Sequence, residues 1–299
     1  MDGNKTVIIT GGNSGLGFEC ARNIAKNAEY RVILACRDMK KAEQAKDSLI
    51  SESGNTSIEA MELDISSLAS VRAFTKRYKE RNLPLSGLIC NAGINGSFAG
   101  QSPDGFDIVF ATNHLGHFLL TNLLLPAMLP SARIAVVSSD MHNPPGADLT
   151  WLNIETLAHP GESFQKGFVR YSYSKLCNLY FTYELSARLV SIGSDITVNA
   201  LNPGLMTDTG FAPDKSRYTD EFLRQVSDRI GSLPQSGDAL AQMITSPDLA
   251  QVTGKYFDRS TKRTESSPLS YSKENALELW HMSVTYTELA KDETLQELL

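Results

Sequence analysis

The sequence has few cysteines, and none of them is placed for disulfide or zinc chemistry. The four cysteines lie far apart and include no CxxC pair: Cys20, Cys36, Cys90 and Cys177. Scattered thiols are typical of reduced intracellular proteins, so we expect a cytoplasmic location without disulfides. His114 and His117 are close in sequence, but no third ligand stands at a suitable spacing, so we expect no metal site.

Positive charge and long apolar runs are also lacking. The 299 residues carry 28 Lys and Arg against 34 Asp and Glu, a net charge of −6, which argues against a nucleic-acid partner. No apolar run reaches the ~18 residues that cross a bilayer, so we expect no transmembrane segment. The longest run, at residues 118–125, is interrupted by Thr121 and Asn122 and stops at Pro126. Because strand-like sequence begins almost at once, we expect neither a signal peptide nor a membrane anchor.

Short apolar segments alternate with helical patterns along the chain. Runs rich in Val and Ile predict strands at residues 6–10, 31–36, 57–63, 85–90, 133–138 and 196–201. Apolar residues at helical spacing predict helices at residues 16–27, 39–52, 68–81, 106–129 and 171–190. The alternation predicts an α/β fold, a single Rossmann-type doubly wound parallel sheet with helices on both faces. The length fits one domain over residues 1–299, with its ligand site at the carboxyl ends of the strands.

Three stretches depart from this alternation. Residues 140–170 form a long link after the fifth strand, and its apolar residues predict packing on the body of the protein. Residues 205–235 are charged and helix-prone after a Pro-Gly turn, and we predict a mobile substrate lid there. For both the link and this stretch, a surface embellishment without a role is the alternative. The C-terminal part contains a strand-like segment at 254–257 and an amphipathic helix at about 273–290, which we expect to cover the core.

A glycine-rich turn follows the first predicted strand and opens the first helix. It reads Thr-Gly-Gly-Asn-Ser-Gly-Leu-Gly over residues 10–17. Glycines permit positive φ and a close approach of the backbone to phosphate, and the following helix N-terminus attracts an anion. The turn therefore predicts a dinucleotide-binding site formed by Gly11, Asn13, Ser14, Gly15, Leu16 and Gly17.

Arg37 decides the predicted cofactor. It follows Cys36 at the end of the second strand, where an NAD site carries an acidic residue. A guanidinium suits a 2′-phosphate through paired, charge-assisted hydrogen bonds, so we predict NADP(H), with NADPH preferred to NADH. An ion pair between Arg37 and Asp38 is the alternative.

The ends of the third and fourth strands complete the predicted cofactor site. Asp64, followed by Ile65, could accept a hydrogen bond from the adenine amino group; the alternative is a helix cap, for which Ser66 is the better candidate. After the fourth strand, small residues let a cofactor lie against the backbone: Asn91, Ala92 and Gly93.

A tyrosine and a lysine follow the fifth strand at helical spacing. Tyr171 and Lys175 are four residues apart, so they share one face of the predicted helix. A free tyrosine titrates near pH ~10, and a neighbouring cation favours its phenolate. Tyr171 is therefore a candidate general acid for carbonyl reduction and a base in the reverse direction. Tyr173 lacks such a partner, because Cys177 stands four residues after it.

Two further polar residues complete the predicted catalytic group. Ser139 lies just past the fifth strand, where its hydroxyl could orient a substrate carbonyl. Asn113 is a polar residue inside a predicted helix and could hold a water that links Lys175 to solvent. A structural asparagine that kinks the helix is the alternative.

These motifs resemble the short-chain dehydrogenase/reductase family over nearly the whole chain. Residues 10–17 are similar to its TGxxxGxG turn and residues 91–93 to its NAG motif. The family's catalytic tetrad is matched by Asn113, Ser139, Tyr171 and Lys175. The resemblance implies that Tyr171 and Lys175 also contact the cofactor and that a loop with Pro203, Gly204 and Thr207 or Thr209 faces the nicotinamide.

Shorter motifs resemble one branch of that family, the branch of retinol dehydrogenases and light-dependent protochlorophyllide reductases. They are ACR at 35–37, SKLCN at 174–178 and GKYF at 254–257. The resemblance implies an NADPH-dependent oxidoreductase acting on a bulky apolar carbonyl or alcohol, and it leaves a homodimer open. A light-dependent pigment reductase and a non-catalytic NADP(H)-sensing protein are the alternatives. The link at 140–170 lacks the cysteine of the pigment reductases, whereas sensors often lose the tyrosine or lysine that this chain keeps.

Overall fold

Eight strands form one sheet in the order β3-β2-β1-β4-β5-β6-β7-β8. The computed structural model describes residues 5–161, 168–207, 209–211, 214–216 and 218–299. The strands are β1 (Lys5–Thr10), β2 (Tyr30–Cys36), β3 (Ile58–Glu62), β4 (Leu85–Cys90), β5 (Met128–Val137), β6 (Thr197–Asn202), β7 (Tyr256–Asp258) and β8 (Arg263–Thr264). Strands β1 to β7 are parallel and the short edge strand β8 is antiparallel. This order is the doubly wound arrangement predicted from the sequence.

Helices cover both faces of the sheet. They are α1 (Gly15–Ala25), α2 (Met39–Ser53), α3 (Leu68–Lys79), α4 (Ile108–Phe110), α5 (Gly116–Leu124), α6 (Ile154–Ala158), α7 (Phe168–Ser191), α8 (Asp220–Gln225), α9 (Leu233–Thr245) and α10 (Lys273–Thr287). Successive strand residues point to opposite faces. Ile8 therefore packs in the core under α3, α5 and α7, whereas Val7 and Ile9 pack in the core under α1, α2 and α9.

The helix predicted at 106–129 is wrong at both ends and irregular in its middle. It begins at Ile108 because the Asp107 side chain caps its first N–H groups. A π-helical turn, Ala111–Leu115, separates α4 from α5. Pro126 lies in a 3₁₀ turn, and β5 begins directly afterwards at Met128 rather than at residue 133. The early part of β5 pairs irregularly with β4, which removes the regular pattern that would have revealed it.

The same helical stretch tests the expectation about membranes. Ile108–Ala127 is long and apolar enough to cross a bilayer by length and composition, although no single apolar run suggested it. Within the described residues it is the one such stretch, and 94% of its most apolar part is buried inside the protein. Core helices satisfy the same criterion, and the burial identifies this one as part of the core.

The link and the C-terminal part pack on the body of the protein, as predicted. Ile154 and Leu157 of α6 are buried, and Trp151 Nε1 donates to Glu278 of α10 at 2.7 Å. Residues 162–167 of the link lie outside the described residues. The predicted C-terminal helix ends at Thr287, because Glu288 adopts left-handed backbone angles. In the predicted lid, α8 and a 3₁₀ turn are described, whereas residues 208, 212, 213 and 217 are not.

Candidate active site

The glycine-rich turn connects β1 to α1 through a tightly folded backbone. Gly11 and Gly15 adopt left-handed angles, with φ of 64° and 52°. A Cβ at Gly17 would lie 2.5 Å from Asn91 Nδ2 and 2.6 Å from Gly11 O, so only glycine fits there. Ser14 caps α1 without a side-chain hydrogen bond, and the first turn of α1 carries no acidic residue. The first N–H groups of α1 and its dipole can therefore receive an anion. The predicted turn residues all lie here: Gly11, Asn13, Ser14, Gly15, Leu16 and Gly17.

Thr10 joins this turn to the end of β4. Its Oγ1 accepts hydrogen bonds from the N–H groups of Asn91 and Ala92, both at 2.9 Å. Asn91 Nδ2 donates to the Thr10 carbonyl at 2.9 Å. Gly93 lies against Asn113, whose Oδ1 would be 3.2 Å from a Cβ at that position. The sequence predicted residues 91–93 but missed Thr10, and a buried threonine at a strand end was the available signal.

Arg37 follows β2 and is exposed. The alternative ion pair with Asp38 does not form. Asp38 instead caps α2 by accepting from Lys41 N at 3.1 Å, and it lies 3.5 Å from Lys41 Nζ. Throughout the described residues Arg37 forms no ion pair. Its guanidinium is therefore available to an anionic group.

Asp64 and Ile65 follow β3 at the next strand end. Asp64 Oδ1 accepts hydrogen bonds from the N–H and the hydroxyl of Ser66, at 3.0 and 2.6 Å. The prediction that Ser66 caps α3 is wrong, because Asp64 engages its hydroxyl and Ser67 accepts the capping bond at 3.3 Å. Ile65 packs so closely on Gly116 that a Cβ there would lie 1.9 Å from Ile65 O.

Tyr171 and Lys175 lie together near the start of α7. Lys175 Nζ is 5.5 Å from the centroid of the Tyr171 ring and donates to Val137 O, at the end of β5, at 2.9 Å. Burial lowers the pKa of Lys175 to about 7. Burial also raises the pKa of Tyr171, whereas a polar interaction with the Ser139 side chain lowers it. The phenol is therefore protonated at neutral pH and can act as a proton donor.

The two serines after β5 have different partners. Ser138 Oγ donates to the Lys175 carbonyl at 2.9 Å. Ser139 Oγ lies 3.2 Å from Asp140 Oδ1, and its side chain interacts with the Tyr171 phenol. The geometry therefore brings Ser139, the residue chosen from the sequence, to the tyrosine and uses Ser138 to hold the backbone of α7.

Asn113 lies within the π-helical turn. Its Oδ1 accepts from Ile94 N at 2.8 Å, and its Nδ2 donates to Ile94 O and to Ser174 Oγ, both at 2.9 Å. The Asn113 carbonyl lies 3.3 Å from His117 Nδ1. The side chain thus connects the loop after β4 to α7, a structural role different from the helix kink raised as an alternative. The water link to Lys175 stays a prediction.

The loop after β6 is held against α9. The carbonyl of Pro203 accepts a hydrogen bond from Ser236 Oγ at 2.8 Å. Gly204 has φ of 79°, and a Cβ there would lie 2.8 Å from the backbone of Gly231. The predicted Pro203-Gly204 turn therefore has no room for a side chain at its second position.

The segment that follows this loop reaches both halves of the site. Thr207 is half-buried in this segment, and Thr209 Cγ2 would lie 3.4 Å from a Cβ placed on Gly15. The ring centroid of Phe211 is 5.6 Å from that of Tyr171. The segment therefore extends from the glycine-rich turn to the predicted catalytic tyrosine.

Two polar contacts hold this region in place, and the sequence reasoning missed both. Asn95 Nδ2 donates to the carbonyl of Phe211 at 2.5 Å. Arg229 Nε pairs with Asp140 Oδ2 at 2.6 Å, next to Ser139. The partners are 116 and 89 residues apart in the sequence, so no local pattern indicates them.

Comparisons with known proteins agree with this arrangement. The family model described as short chain dehydrogenase matches residues 5–150. Human retinol dehydrogenase 14 is 37% identical over 96% of this chain and 87% of its own length. The crystal structure of an uncharacterised protein from Mycobacterium Paratuberculosis is 32% identical, with a TM-score of 0.74 over 95% of this chain and 93% of that one. The structure of 3-ketoacyl-(acyl-carrier-protein) reductase from Brucella melitensis complexed with NADH, 22% identical, shares the fold with a TM-score of 0.66 over 86% of this chain and 96% of that one. By sequence and by fold, this chain belongs to the short-chain dehydrogenase family of oxidoreductases.

Proposed function

We propose that the chain is an NADPH-dependent reductase of a carbonyl group on a bulky apolar substrate, and that it also oxidises the corresponding alcohol. One observation carries this proposal. The Tyr171 phenol, the Ser139 side chain and the Lys175 amine meet at the end of β5. That strand end adjoins the end of β4, which Thr10 connects to the glycine-rich turn.

The residues of the turn fit a dinucleotide. At Gly17 a side chain would collide with its neighbours, and Gly11 has a positive φ that favours glycine. Helix α1 begins without an acidic residue in its first turn and without a side-chain cap. Such a turn can approach a pyrophosphate closely. The exposed Arg37 lies at the end of the adjacent strand β2, where its fork of N–H groups suits a 2′-phosphate. These features support NADPH as the preferred cofactor, which supplies the hydride when bound.

Three side chains near the end of β5 would each have a separate role in the reduction. Tyr171 holds its proton at neutral pH and would donate it to the substrate oxygen as the carbonyl carbon is reduced. Ser139 would donate a hydrogen bond to the same oxygen and fix its position. Lys175, once protonated, would stabilise negative charge that develops on the Tyr171 oxygen.

Apolar side chains near Tyr171 support an apolar substrate. Phe211 packs its ring near that of Tyr171 and remains 38% exposed. Phe98 is 44% exposed and belongs to the loop whose Asn95 donates to the carbonyl of Phe211. Exposed apolar groups around a polar reactive centre are typical of a site that binds an apolar ligand. The relative named retinol dehydrogenase 14 is consistent with this substrate class.

The test is the loss of reduced-nicotinamide absorbance with a panel of apolar aldehydes, ketones and quinones. We expect turnover with NADPH that Tyr171→Phe abolishes and Ser139→Ala lowers by at least about a hundredfold. Tyr173→Phe is the matched control, because this phenol lies two residues away and donates to Thr150 O at 2.5 Å instead. Full turnover in Tyr171→Phe would refute the mechanism. Cofactor binding without turnover on any substrate would favour a sensor instead.

A further inference from the structure

Asp107 and Arg170 form an ion pair inside the protein. Both side chains are 3% exposed, and Arg170 Nη1 contacts Asp107 Oδ2 directly. The other guanidinium nitrogen donates to the carbonyl of Phe98 and lies 3.4 Å from that of Gly96. Asp107 Oδ1 accepts two backbone hydrogen bonds at 3.0 Å and so caps α4. Both charged groups are therefore anchored by the backbone as well as by each other.

Packing alone does not explain this pair. Removing two charges from water is costly, and replacing a buried ion pair by uncharged residues of similar size is often neutral or stabilising. Burial raises the pKa of Asp107 despite the guanidinium beside it. Arg170 Nε, moreover, is buried without a hydrogen-bond partner in the described part of the chain. A simple apolar contact would have filled this space with fewer unsatisfied groups.

The location of the pair indicates what it does instead. Arg170 directly precedes Tyr171 in the first turn of α7, where backbone N–H groups lack helical partners and helices fray. Asp107 caps the helical segment that continues into the π-helical turn with Asn113. Phe98 belongs to the loop that follows residues 91–93. The guanidinium thus joins the first turn of α7 to the segment capped by Asp107 and to the loop that contains Phe98.

A second set of hydrogen bonds continues from the same place. Ser174 Oγ donates to the Tyr171 carbonyl at 2.7 Å and accepts from Asn113 Nδ2 at 2.9 Å. This set fixes the turn after Tyr171, whereas the ion pair fixes the residue before it. The two sets therefore engage the backbone on both sides of Tyr171.

We propose that the Asp107–Arg170 ion pair is a positioning device that holds the first turn of α7 so that the Tyr171 hydroxyl meets the substrate oxygen. This role rests on the proposed function of Tyr171 as proton donor. Neither residue of the pair touches the reacting atoms.

The test removes the charges and keeps the shape. Arg170→Met combined with Asp107→Asn retains the side-chain volume and the carbonyl that caps α4, because Asn caps helices as well as Asp. We expect kcat to fall by about tenfold or more, since small misplacements of a reacting group cost this much. The KM for NADPH and the melting temperature should stay near the wild-type values. An unchanged kcat in the folded double variant would overturn the proposal.

Two controls separate positioning from general damage. Arg170→Lys keeps the positive charge but loses the two-pronged guanidinium, so its kcat should lie between those of the wild type and the double variant. If the double variant does not fold, a wild-type kcat in Arg170→Lys would overturn the positioning role. Arg188→Met with Glu184→Leu removes the half-buried ion pair, 2.6 Å long, from the far part of the same helix. That pair lies about 20–25 Å along α7 from Tyr171, and its loss should leave kcat unchanged.

A readout without turnover keeps this proposal separate from the proposed function. In protein labelled with ¹³Cζ-tyrosine, the Tyr171 resonance is assigned by its loss in Tyr171→Phe. The proposal expects this resonance to shift or broaden in the Arg170→Met/Asp107→Asn variant and to be unchanged in the Arg188 control. If the wild type reduces no carbonyl but the Tyr171 resonance shifts in the double variant, the proposed function fails while the positioning of the phenol stands. A resonance that stays in place refutes the positioning role.

Discussion

Replacement of Lys175 by methionine should stabilise the folded chain while it removes activity. The Lys175 side chain is 3% exposed, and in the described residues its amine forms a hydrogen bond to Val137 O but no ion pair with a carboxylate. Burial lowers its pKa to about 7, against about 10.4 for a free lysine. Each pH unit of difference corresponds to about 1.4 kcal/mol, so charging this amine costs the folded state about 5 kcal/mol below about pH 7.

The pH dependence of this cost follows from which state holds the proton. Between about pH 7 and about pH 10 the unfolded chain binds the Lys175 proton and the folded chain does not, so raising the pH favours folding by about 1.4 kcal/mol per unit. Methionine binds no proton, so the advantage of Lys175→Met is largest below this range and declines through it. The lost hydrogen bond to Val137 O subtracts about 1 kcal/mol at every pH. Asn178 Nδ2, at 3.1 Å, still donates to that carbonyl.

Guanidinium unfolding of both proteins without cofactor measures the effect. From about pH 7.5 to about pH 9.5 the stability advantage of Lys175→Met should fall by about 2–3 kcal/mol. Lys40→Met makes the same change at an exposed position of α2 and should show no such decline. The window avoids the buried histidines, whose pKa values lie lower, and Tyr171, whose pKa is raised. A Lys175→Met advantage that is equal at the two pH values would refute a depressed pKa.

Three further predictions test the fold and the cofactor site. Gly17→Ala places a Cβ 2.5 Å from Asn91 Nδ2 and should cost about 1–3 kcal/mol in the free energy of unfolding. Gly161→Ala, whose Cβ would meet no described atom within 4 Å, should not; equal melting temperatures would contradict the close packing. Arg37→Ala should raise the KM for NADPH by about tenfold or more and leave that for NADH nearly unchanged; equal effects on the two cofactors would remove the basis for NADPH preference. Burial lowers the pKa of His114 to about 3, so its contribution to stability is complete above about pH 6.5 and is lost as the pH falls below that value. His114→Asn should therefore lessen the acid destabilisation between about pH 6.5 and about pH 4.5 by about 1.4 kcal/mol per unit in urea unfolding, and an unchanged slope would show that His114 is not buried neutral.

The parts of the fold that were predictable are those that a local pattern determines. Strand β4 has the bounds read from its apolar run, and β1 and β2 differ by one residue at their starts. The site residues at strand ends followed from topology, because parallel strands deliver their carboxyl ends to one edge of the sheet. The choice of Ser139 over Ser138 could also be made locally, since the residue just past the strand no longer takes part in the backbone hydrogen bonds between strands.

The sequence-based predictions were wrong where the same local sequence is compatible with two local structures. Residues 106–129 have helical periodicity throughout, and a π-helical turn shifts the face of the helix without altering that pattern. Ser66 and Ser67 are both good capping residues. The Ser66 hydroxyl donates to Asp64, so Ser67 is the residue that caps α3. The early start of β5 depends on irregular pairing with β4, which only the folded sheet provides.

What the sequence could not show is the set of long-range polar contacts that hold the site together. Asp107 and Arg170 are separated by 63 residues, and each alone is an ordinary charge in a plausible surface position. Their pairing is visible only when α4 and the start of α7 meet. Sequence-based reasoning therefore names candidate reactive residues, whose types are set by reactivity, more readily than it finds long-range polar pairs such as this one.

The candidate site gathers groups that are poorly suited to a protein interior. Lys175 is buried without a carboxylate partner among the described residues, Asn113 lies inside a helix, and the Asp107–Arg170 pair lies out of water. Each of these groups costs the folded state free energy, and the extensive apolar packing on both faces of the sheet can offset that cost. If folding alone had shaped these positions, uncharged residues would occupy them at lower cost. The Lys175→Met and Arg170→Met/Asp107→Asn variants therefore ask one question at two places: whether stability is maintained or improved while catalysis is lost. A Lys175→Met protein that loses both properties would mean that this lysine serves the fold, whereas an unfolded Arg170→Met/Asp107→Asn protein leaves the decision to Arg170→Lys.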